Sequence, residues 1–322
     1  MRVPQGAGVL SRRPGPAARP PAGPAPTERA LALRRPAAQA GRRPYFTAQL
    51  TRAAALAGAD LTWHSRGWVA ELRRGGRHTH VVGYEFPLND AAAAAVAADK
   101  VATCAVLAAA GVPAVGHRLL RQADGEDPAA LVADLALPLV VKPLDGRGGR
   151  DVARAGTLPE LTALLERLFA VHPALALSPW VPIRHEYRVV VLADRDRIVF
   201  DKARPPDGSG EWRHNLAYGA VPRLEVPAAV RARLAALAAA AARATGLTFA
   251  AVDIVDTADA GDGRDPDSTG GALAVLEVNS SVCLERFSGH GAEHARLAGQ
   301  VYEDAVAAAL RTPPRAGGAP PR

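Results

Sequence analysis

Cysteine is nearly absent from the sequence, with Cys104 and Cys283 as the only two in 322 residues. Two thiols cannot supply the disulfide framework on which small secreted domains depend. Arg12 and Arg13 are followed by Pro and Gly instead of an apolar segment, so we expect no secretion signal. These features are typical of a reducing compartment, and we expect a cytoplasmic protein.

Long apolar runs are also missing. The longest stretch of this kind, around 234–244, is rich in Ala and interrupted by Arg. This pattern predicts an amphipathic helix and excludes a membrane span there. Hydrophobic residues make up 48% and charged residues 22% of the chain, which is ordinary for a globular protein.

Acidic residues are scarce only near the N-terminus. Residues 1–43 contain nine Arg, eight Pro and a single acid, Glu28, whereas the other 30 basic and 31 acidic residues nearly cancel. The net charge of +7 therefore belongs to this segment and does not indicate a nucleic-acid-binding fold. We expect 1–43 to be a disordered leader or an over-extended start, because it has too little apolar surface to fold. A nucleic-acid-binding or membrane-binding arm is the alternative.

The remaining pattern mixes helices and strands. We predict helices at 46–58, 90–110, 158–170, 228–244 and 292–310, and strands at 61–65, 77–86, 113–120, 137–143, 174–182, 186–192, 197–204, 248–256 and 273–279. Asn89 or Asp90 is the expected N-cap of the second helix, and Thr157 with Glu160 forms a capping box before the third. Strands that alternate with helices and then form hairpins indicate an α+β (α/β) ligand-binding architecture.

The segment LPLVVKPLDGRGGRDV at 137–152 joins a short apolar strand to a glycine loop. Lys142 closes the strand, and Gly146, Gly148 and Gly149 follow it. Glycines let backbone N–H groups approach an anion, and lysine supplies a point charge for phosphate. The spacing fits neither a P-loop nor a dinucleotide-binding fingerprint. A plain strand and glycine turn is the alternative interpretation.

An acidic set lies near the C-terminus of the chain. Asp253 is on one predicted strand, and Glu277 and Asn279 are two residues apart on the next, so their side chains share a face. Strict alternation places Val275 on this face too, and Leu276 and Val278 on the other. Such oxygen donors suit Mg²⁺ bound to substrate phosphates. Solvent-facing acids at strand ends are the alternative.

A basic and polar set follows the glycine loop. Glu186 and Arg188 share a strand face, Lys202 lies on the next strand, and Arg213 and Asn215 occupy a loop bounded by Tyr and Gly. Arg213 and Asn215 are the better candidates for contact with an anion.

These segments together resemble the ATP-grasp ligases, nearest to the RimK-type, cyanophycin synthetase and glutathione synthetase-like branches. The resemblance rests on DKVATCAVLAAAGVPAVG (99–116), VVKPLDGRGGRDV (140–152), EYRVVVL (186–192), WRHNLAYGA (212–220), AVDIV (251–255) and LEVNSS (276–281). It implies an ATP-grasp fold in which two α+β subdomains enclose ATP. We expect a short α/β N-terminal domain at 44–89, the ATP-grasp domain at 90–311 and a disordered tail at 312–322.

The resemblance also implies a role for each residue. Lys100, Lys142 and the loop Gly146, Gly148 and Gly149 would contact the nucleotide phosphates, Glu186 the ribose, and Lys202 the nucleotide. Asp253, Glu277 and Asn279 would hold Mg²⁺, with Mn²⁺ as the second candidate ion. Arg213 and Asn215, with Lys142, would act on the reacting acyl phosphate.

The sequence departs from the family pattern in two places: the linker that reads adenine and the N-terminal domain. The adenine linker usually carries Gln or Glu followed by Glu, whereas this chain has Ser-Pro-Trp-Val at 178–181. We expect the carbonyl of Pro179 and the N–H of Trp180 to read adenine in its place. The N-terminal domain, which helps to shape the substrate pocket in this family, is also short.

The implied activity is ATP-dependent ligation of a carboxylate to an amine through an acyl phosphate, on an amino acid or peptide. An ATP-grasp small-molecule kinase and a non-catalytic ATP-binding protein are the alternatives, and a nucleic-acid-binding protein that uses the basic leader is a third. We expect no membrane partner. A homo-oligomer is compatible with the sequence, and the acid and the amine are not identified by it.

Overall fold

The computed structural model describes residues 44–125, 127–205, 210–257 and 272–311. The predicted leader at 1–43 and the predicted tail at 312–322 lie outside the described residues. The Gly- and Asp-rich segment at 258–271, between the last two predicted strands, lies outside them too. The division of the chain into the domains 44–89 and 90–311 stays a prediction.

Eight helices and twelve strands occur within the described ranges. The helices are α1 (Pro44–Leu56), α2 (Ala91–Ala98), α3 (Lys100–Ala109), α4 (Pro128–Leu135), α5 (Leu158–Phe169), α6 (Ala228–Ala244), α7 (Glu285–Ser288) and α8 (Ala292–Arg311). The strands are β1 (Asp60–His64), β2 (Val69–Arg74), β3 (Arg77–Val82), β4 (Arg118–Arg121), β5 (Leu139–Pro143), β6 (Ala153–Ala155), β7 (Ala174–Pro179), β8 (Ile183–Leu192), β9 (Arg195–Ala203), β10 (Val221–Arg223), β11 (Phe249–Thr257) and β12 (Ala272–Asn279).

The strands form three antiparallel sheets. The first sheet has the order β1-β2-β3, the second the order β4-β7-β5-β6, and the third the order β10-β9-β8-β11-β12. Every ladder within these sheets is antiparallel, from the β8–β9 hairpin to the long β8–β11 pairing. The mixed α+β fold that the sequence predicts is thereby confirmed.

The predicted helix 90–110 is wrong as a single element. Asp90 caps α2 by accepting from the N–H of Ala92, but Asp99 then leaves the helical conformation and caps α3 by accepting from Val101 and Ala102. The two helices meet at an angle of 106°. Because an aspartate side chain can satisfy the free N–H groups of a new helix, one residue ends α2 and begins α3. The break places Lys100 in the first turn of α3.

Three hydrophobic clusters support the sheets. One joins α1, β2 and β3 to one face of the five-stranded sheet and to α8, with Phe46 and Tyr302 among its buried side chains. A second lies on the opposite face of that sheet, against α6. A third packs α4 and α5 on the four-stranded sheet. The segment 44–89 therefore shares its apolar core with the large sheet.

A β-bulge changes the predicted faces of β12. Asp253 of β11 lies opposite Glu277, but the next residue, Ile254, lies opposite Val275, so Leu276 is an extra residue. Val275 and Val278 both belong to the hydrophobic cluster against α6. Leu276, with Glu277, lines a cavity between the two larger sheets, which is described below. The predicted pairing of Val275 with Glu277 on one face, and of Leu276 with Val278 on the other, is therefore wrong. A bulge resets the alternation of side chains, which a strict two-residue period does not anticipate.

Among the described residues, no single helix is long and apolar enough to cross a membrane. Only the bent pair α2 and α3, taken together, reaches that length and composition.

Candidate active site

A cavity lies between the four-stranded and five-stranded sheets. It encloses about 790 Å³ of empty space, including space open to solvent. Of the residues singled out in the sequence, it is lined by Lys100, Lys142, Gly146, Gly148, Gly149, Pro179, Trp180, Glu186, Arg213, Asn215, Asp253 and Glu277. Three others do not line it: Lys202 is buried behind the wall, Arg188 pairs with Asp253, and Asn279 borders an adjoining smaller cavity.

Strand alternation places Lys142 at the cavity. On β5, Leu139 and Val141 belong to the cluster under α5, while Val140 and Lys142 point the other way and line the cavity. The strand ends at Pro143, where the glycine loop begins. The carbonyl of Pro143 accepts a hydrogen bond from the N–H of Gly146. A local pattern of apolar residues is therefore enough to aim this amine at the cavity.

Lys142 is a buried amine without a partner. Its side chain is 7% exposed and makes no hydrogen bond or ion pair within the described part of the chain. Burial lowers the pKa of Lys142 to about 8, against a smaller opposing effect of Glu277. An anion in the cavity would supply the missing partner, since an unpaired charge is costly to bury.

Lys100, in contrast, has no donor to spare. Its ammonium donates to the carbonyl oxygens of Gly146 at 2.7 Å and Leu144 at 3.3 Å, and lies 3.3 Å from Oε1 of Glu277. An ammonium has three donors, and these three contacts use them. Lys100 therefore ties the glycine loop to β12, and it can reach a phosphate only by exchanging one of these contacts.

The Asp253 carboxylate is held by two cations. Arg188 donates to both of its oxygens at 2.7 Å, and the Lys202 ammonium lies 3.2 Å from Oδ2. Burial alone would raise the pKa of Asp253, but Arg188 and Lys202 hold it well below its usual range. Asp253 thus stays ionised, and its orientation is set by Arg188, which is not among the predicted site residues.

Lys202 lies behind the cavity wall and forms ion pairs with two carboxylates that line the cavity. It is 1% exposed and pairs with Glu186 as well as with Asp253. With Arg188 the four side chains form a buried network of two cations and two anions, in which each charge is compensated. The geometry accordingly gives Lys202 no direct path to a ligand in the cavity.

Glu277 lies at the junction of the two cavities. Both cavities are bordered by Glu277, Lys100 and Gly146, and the smaller one also by Asn279. The amide nitrogen of Asn279 is buried and has no hydrogen-bond partner in the described residues. An unpaired buried amide beside a carboxylate indicates a place where a polar ligand binds.

The end of the cavity remote from Glu277 is aromatic. The rings of Trp180 and Trp212 lie edge to face at 4.9 Å, and the guanidinium of Arg154 lies 4.4 Å from the Trp180 ring centroid. The N–H of Trp180, which we expect to read adenine, donates to the carbonyl of Pro138 at 2.9 Å in this structure. Trp180 and Val181 both line the cavity.

Arg213 stands on the loop before a 3₁₀ turn at 216–218. Its Nε and Nη2 donate to the two carboxylate oxygens of Glu211 at 2.8 and 2.7 Å. Hydrogen bonds from Arg213 lower the pKa of Glu211 to about 2, so the pair stays charged. Neighbouring Asn215 lines the same side of the cavity.

The three lysines of the sequence all lie at this site. Lys100, Lys142 and Lys202 are the only lysines among 39 basic residues, and all three are buried at or directly behind the cavity. A compact ammonium on a flexible stem and a planar guanidinium are not interchangeable. The scarcity of lysine is therefore a signal for this site that the motifs themselves do not contain.

Comparison with known proteins identifies one matching family. The family model described as RimK-like ATP-grasp domain matches residues 97–296. That range includes every site residue discussed above and all strands from β4 to β12.

Two relatives match shorter stretches of the chain. The D-alanine–D-alanine ligase of Desulforudis audaxviator is 42% identical over 62 residues, 19% of this chain and 20% of its own length. The glutathione synthetase of Xanthomonas campestris pv. campestris is 40% identical over 83 residues, 25% of this chain and 26% of its own length. The matched stretches thus span about a fifth to a quarter of the relatives.

Solved structures show the same fold. A crystal structure of D-alanine–D-alanine ligase from Bacillus anthracis has a TM-score of 0.52 at 19% identity, covering 69% of this chain and 70% of that one. The same enzyme complexed with ATP has a TM-score of 0.50 at 18% identity, with the same coverage.

Proposed function

Because the chain belongs to the RimK-like ATP-grasp family, we propose that it is an ATP-dependent ligase that joins a carboxylate to an amine through an acyl phosphate. One observation carries the proposal. A single cavity brings a buried lysine with no partner among the described residues together with three carboxylates, an arginine and a glycine loop. Phosphoryl transfer depends mainly on such positioning and charge neutralisation.

The nucleotide would lie along the cavity between the two sheets. Its phosphates would face Lys142 and the backbone N–H groups of residues 147–149, with Lys100 behind them. The base would lie at the aromatic end, where the carbonyl of Pro179 and the N–H of Val181 are the backbone groups suited to adenine. Glu186 lines the same cavity and is the candidate ribose acceptor.

The residues at the inner end fit Mg²⁺, which is bound in such sites by one or two carboxylates, substrate phosphates and water. In the described ranges, no group of three or more His, Cys, Asp and Glu side chains is arranged as a complete metal site. The carboxylate of Glu277 and the amide oxygen of Asn279 would hold the ion. Asp253 would contribute only a lone pair left free by Arg188 and Lys202. When bound, the ion would neutralise charge on the transferring phosphoryl group.

The chemistry proposed has two steps. A carboxylate oxygen of the substrate attacks the γ-phosphorus, the bond to the β–γ bridging oxygen breaks, and ADP leaves. The amine nitrogen then attacks the acyl carbon and loses a proton, the bond to phosphate breaks, and an amide and inorganic phosphate result. Arg213 and Asn215 would stabilise the negative charge that develops on the acyl group.

Phosphate release over a panel of amino acids and peptides, with mass spectrometry of the product, tests the proposed function. We expect stoichiometric ADP and inorganic phosphate together with a product heavier by the joined amine. A phosphorylated product without phosphate release would establish a kinase instead. ATP binding without ADP formation for every member of the panel would favour a non-catalytic ATP-binding protein.

The affinity for ATP should depend on pH through Lys142. Its pKa in the nucleotide-free protein is about 8, so the ammonium that attracts phosphate is present below that pH and is lost above it. We expect the ATP dissociation constant to rise as pH increases from 7.5 to 9, as about one proton is lost. Titration calorimetry or fluorescence at several pH values measures this change.

The control for this pH dependence is Lys142→Arg. A guanidinium stays charged throughout the range, so the variant should show a flat profile between pH 7.5 and 9 whatever its absolute affinity. The same decline in both proteins would assign the titration to another group.

A further inference from the structure

The carbonyl oxygen of Gly149 receives two donors from a distant part of the chain. Nη1 of Arg213 and the hydroxyl of Tyr218 both donate to it, each at 3.2 Å. We call these three residues the Gly149 clasp. It connects the glycine loop, which covers the cavity, to the loop that carries Arg213.

Tyr218 contacts both partners of the clasp. Its ring stacks on the guanidinium of Arg213, whose central carbon is 3.5 Å from the ring centroid, and its hydroxyl reaches Gly149. Glu211 holds the other side of the guanidinium. One aromatic side chain therefore sets the distance between the catalytic candidate Arg213 and the loop above the nucleotide site.

The two loops approach so closely that residue 149 must be glycine. It has a φ of +74°, and a Cβ there would lie 2.6 Å from Oδ1 of Asn215 and 3.0 Å from Cε2 of Tyr218. Both the conformation and the space exclude a side chain. The contact is thus a built feature of the site and not a chance approach of two surface loops.

We propose that Tyr218 is a positioning residue that holds the glycine loop closed over the nucleotide and Arg213 at the reacting end. This inference rests on the proposed function, because it assigns a role within the same site. Closure of the loop and placement of Arg213 become one event, since both depend on the same aromatic ring. Release of the nucleotide then requires the two hydrogen bonds to Gly149 to break.

Tyr218→Phe isolates the hydroxyl, because the ring that stacks on Arg213 remains. We expect faster amide hydrogen exchange confined to 144–152 in the nucleotide-free protein. With Mg²⁺ and the non-hydrolysable analogue adenylyl imidodiphosphate as the probe, binding should weaken about 3- to 10-fold, the effect typical of one lost hydrogen bond. In ADP release with the best acceptor from the panel, KM for ATP should rise by this factor while kcat changes less.

Tyr218→Ala removes the ring as well and should lower kcat in addition to raising KM, because Arg213 loses its stacking partner. If Tyr218 had only a structural role, both variants would lower the thermal unfolding midpoint. Tyr218→Phe would then not raise KM for ATP more than it changes kcat.

Tyr45→Phe is the matched control. Tyr45 also donates its hydroxyl to a backbone carbonyl, that of Ala295, and does not line the cavity. We expect unchanged analogue binding and unchanged exchange at 144–152 in this variant. Wild-type exchange and affinity in Tyr218→Phe would overturn the inference. A wild-type protein that fails to bind the analogue would instead contradict the proposed function, and the exchange of the nucleotide-free protein would still test the clasp.

Discussion

Replacing Glu277 by glutamine is expected to lower amine-dependent ADP release by at least about 100-fold, because a metal-held charge on the transferring phosphoryl group is worth several kcal/mol. The change keeps the size and shape of the side chain and removes the charge at the junction of the two cavities. It also weakens the contact with Lys100, which lies 3.3 Å away and ties the glycine loop to β12. ADP formation with the best acceptor, at saturating Mg²⁺ and ATP, measures the loss.

The fold should survive this change. Glu277 is 27% exposed, and an amide oxygen in its place can still accept from Lys100, which also keeps its two carbonyl partners. Circular dichroism and the thermal unfolding midpoint should match the wild type. An inactive variant that is also unfolded would not support the role assigned to Glu277.

Glu303→Gln provides the matched comparison. Glu303 is also 27% exposed and also has a basic partner, Arg52 at 3.0 Å, but it lies on α8 and outside the cavity. We expect full ADP release from this variant. Full activity in Glu277→Gln itself would remove the metal-binding role from Glu277.

Lys142→Met is expected to weaken ATP binding by about 10- to 100-fold, the range for loss of a hydrogen bond to a charged group. Methionine keeps the unbranched stem that lines β5 and removes only the amine. Because Lys142 has no partner within the described part of the chain, a nucleotide phosphate is the group that would lose its contact. Equilibrium binding of ATP at pH 7 measures the effect, and unchanged affinity would contradict the assignment.

The same variant should be at least as stable as the wild type at pH 7. The pKa of Lys142 in the folded protein, about 8, is below its usual value, so the charged amine opposes folding at neutral pH. This unfavourable contribution is full below pH 8 and disappears as pH rises toward the pKa of the unfolded chain. The stability gain of Lys142→Met should accordingly shrink between pH 8 and pH 10. Denaturant unfolding at several pH values checks the sign.

Lys202→Met is the contrasting variant, because Lys202 is a buried lysine that is paired with carboxylates. Lys202 is as deeply buried as Lys142, but it compensates Glu186 and Asp253. Its loss leaves two buried carboxylates with Arg188 alone, so we expect destabilisation of about 3 kcal/mol or more, typical of a broken buried ion network. Equal stability of the two variants would show that neighbouring charges do not distinguish these lysines.

Local sequence patterns predicted most of the secondary structure. The helix at 228–244 has the predicted bounds, and the β8–β9 hairpin turns at Ala193 and Asp194, inside the predicted turn. Strands β2, β6 and β10 and helices α4 and α7 were not predicted, and the helix at 90–110 is two helices. Asp99 explains the last error, because its side chain can cap a new helix in the middle of a strongly helical sequence.

The candidate site was predicted less evenly. Motif order brought out the glycine loop, Lys142, Arg213 and the acids, which the structure collects around one cavity. Tyr218 and Glu211 received no role, because nothing in their spacing shows that they meet Gly149 and Arg213. The N–H of Trp180, predicted to read adenine, donates to the carbonyl of Pro138, and this contact joins two segments that are separate in the sequence.

What the sequence determined by itself is local: an apolar strand that ends in Lys142 and opens into glycines, and acids on two late strands. These features depend on residues within a few positions of each other, so short-range periodicity reveals them. Only the tertiary structure decided which lysine is unpaired, which acid is held by Arg188, and on which side of the bulge Leu276 lies. The physical reason is that the charge state and availability of a buried group are set by neighbours distant in the chain. For Lys142 those neighbours include residues of helix α3 and strand β12, and its amine has no hydrogen-bond or ion-pair partner in the described ranges.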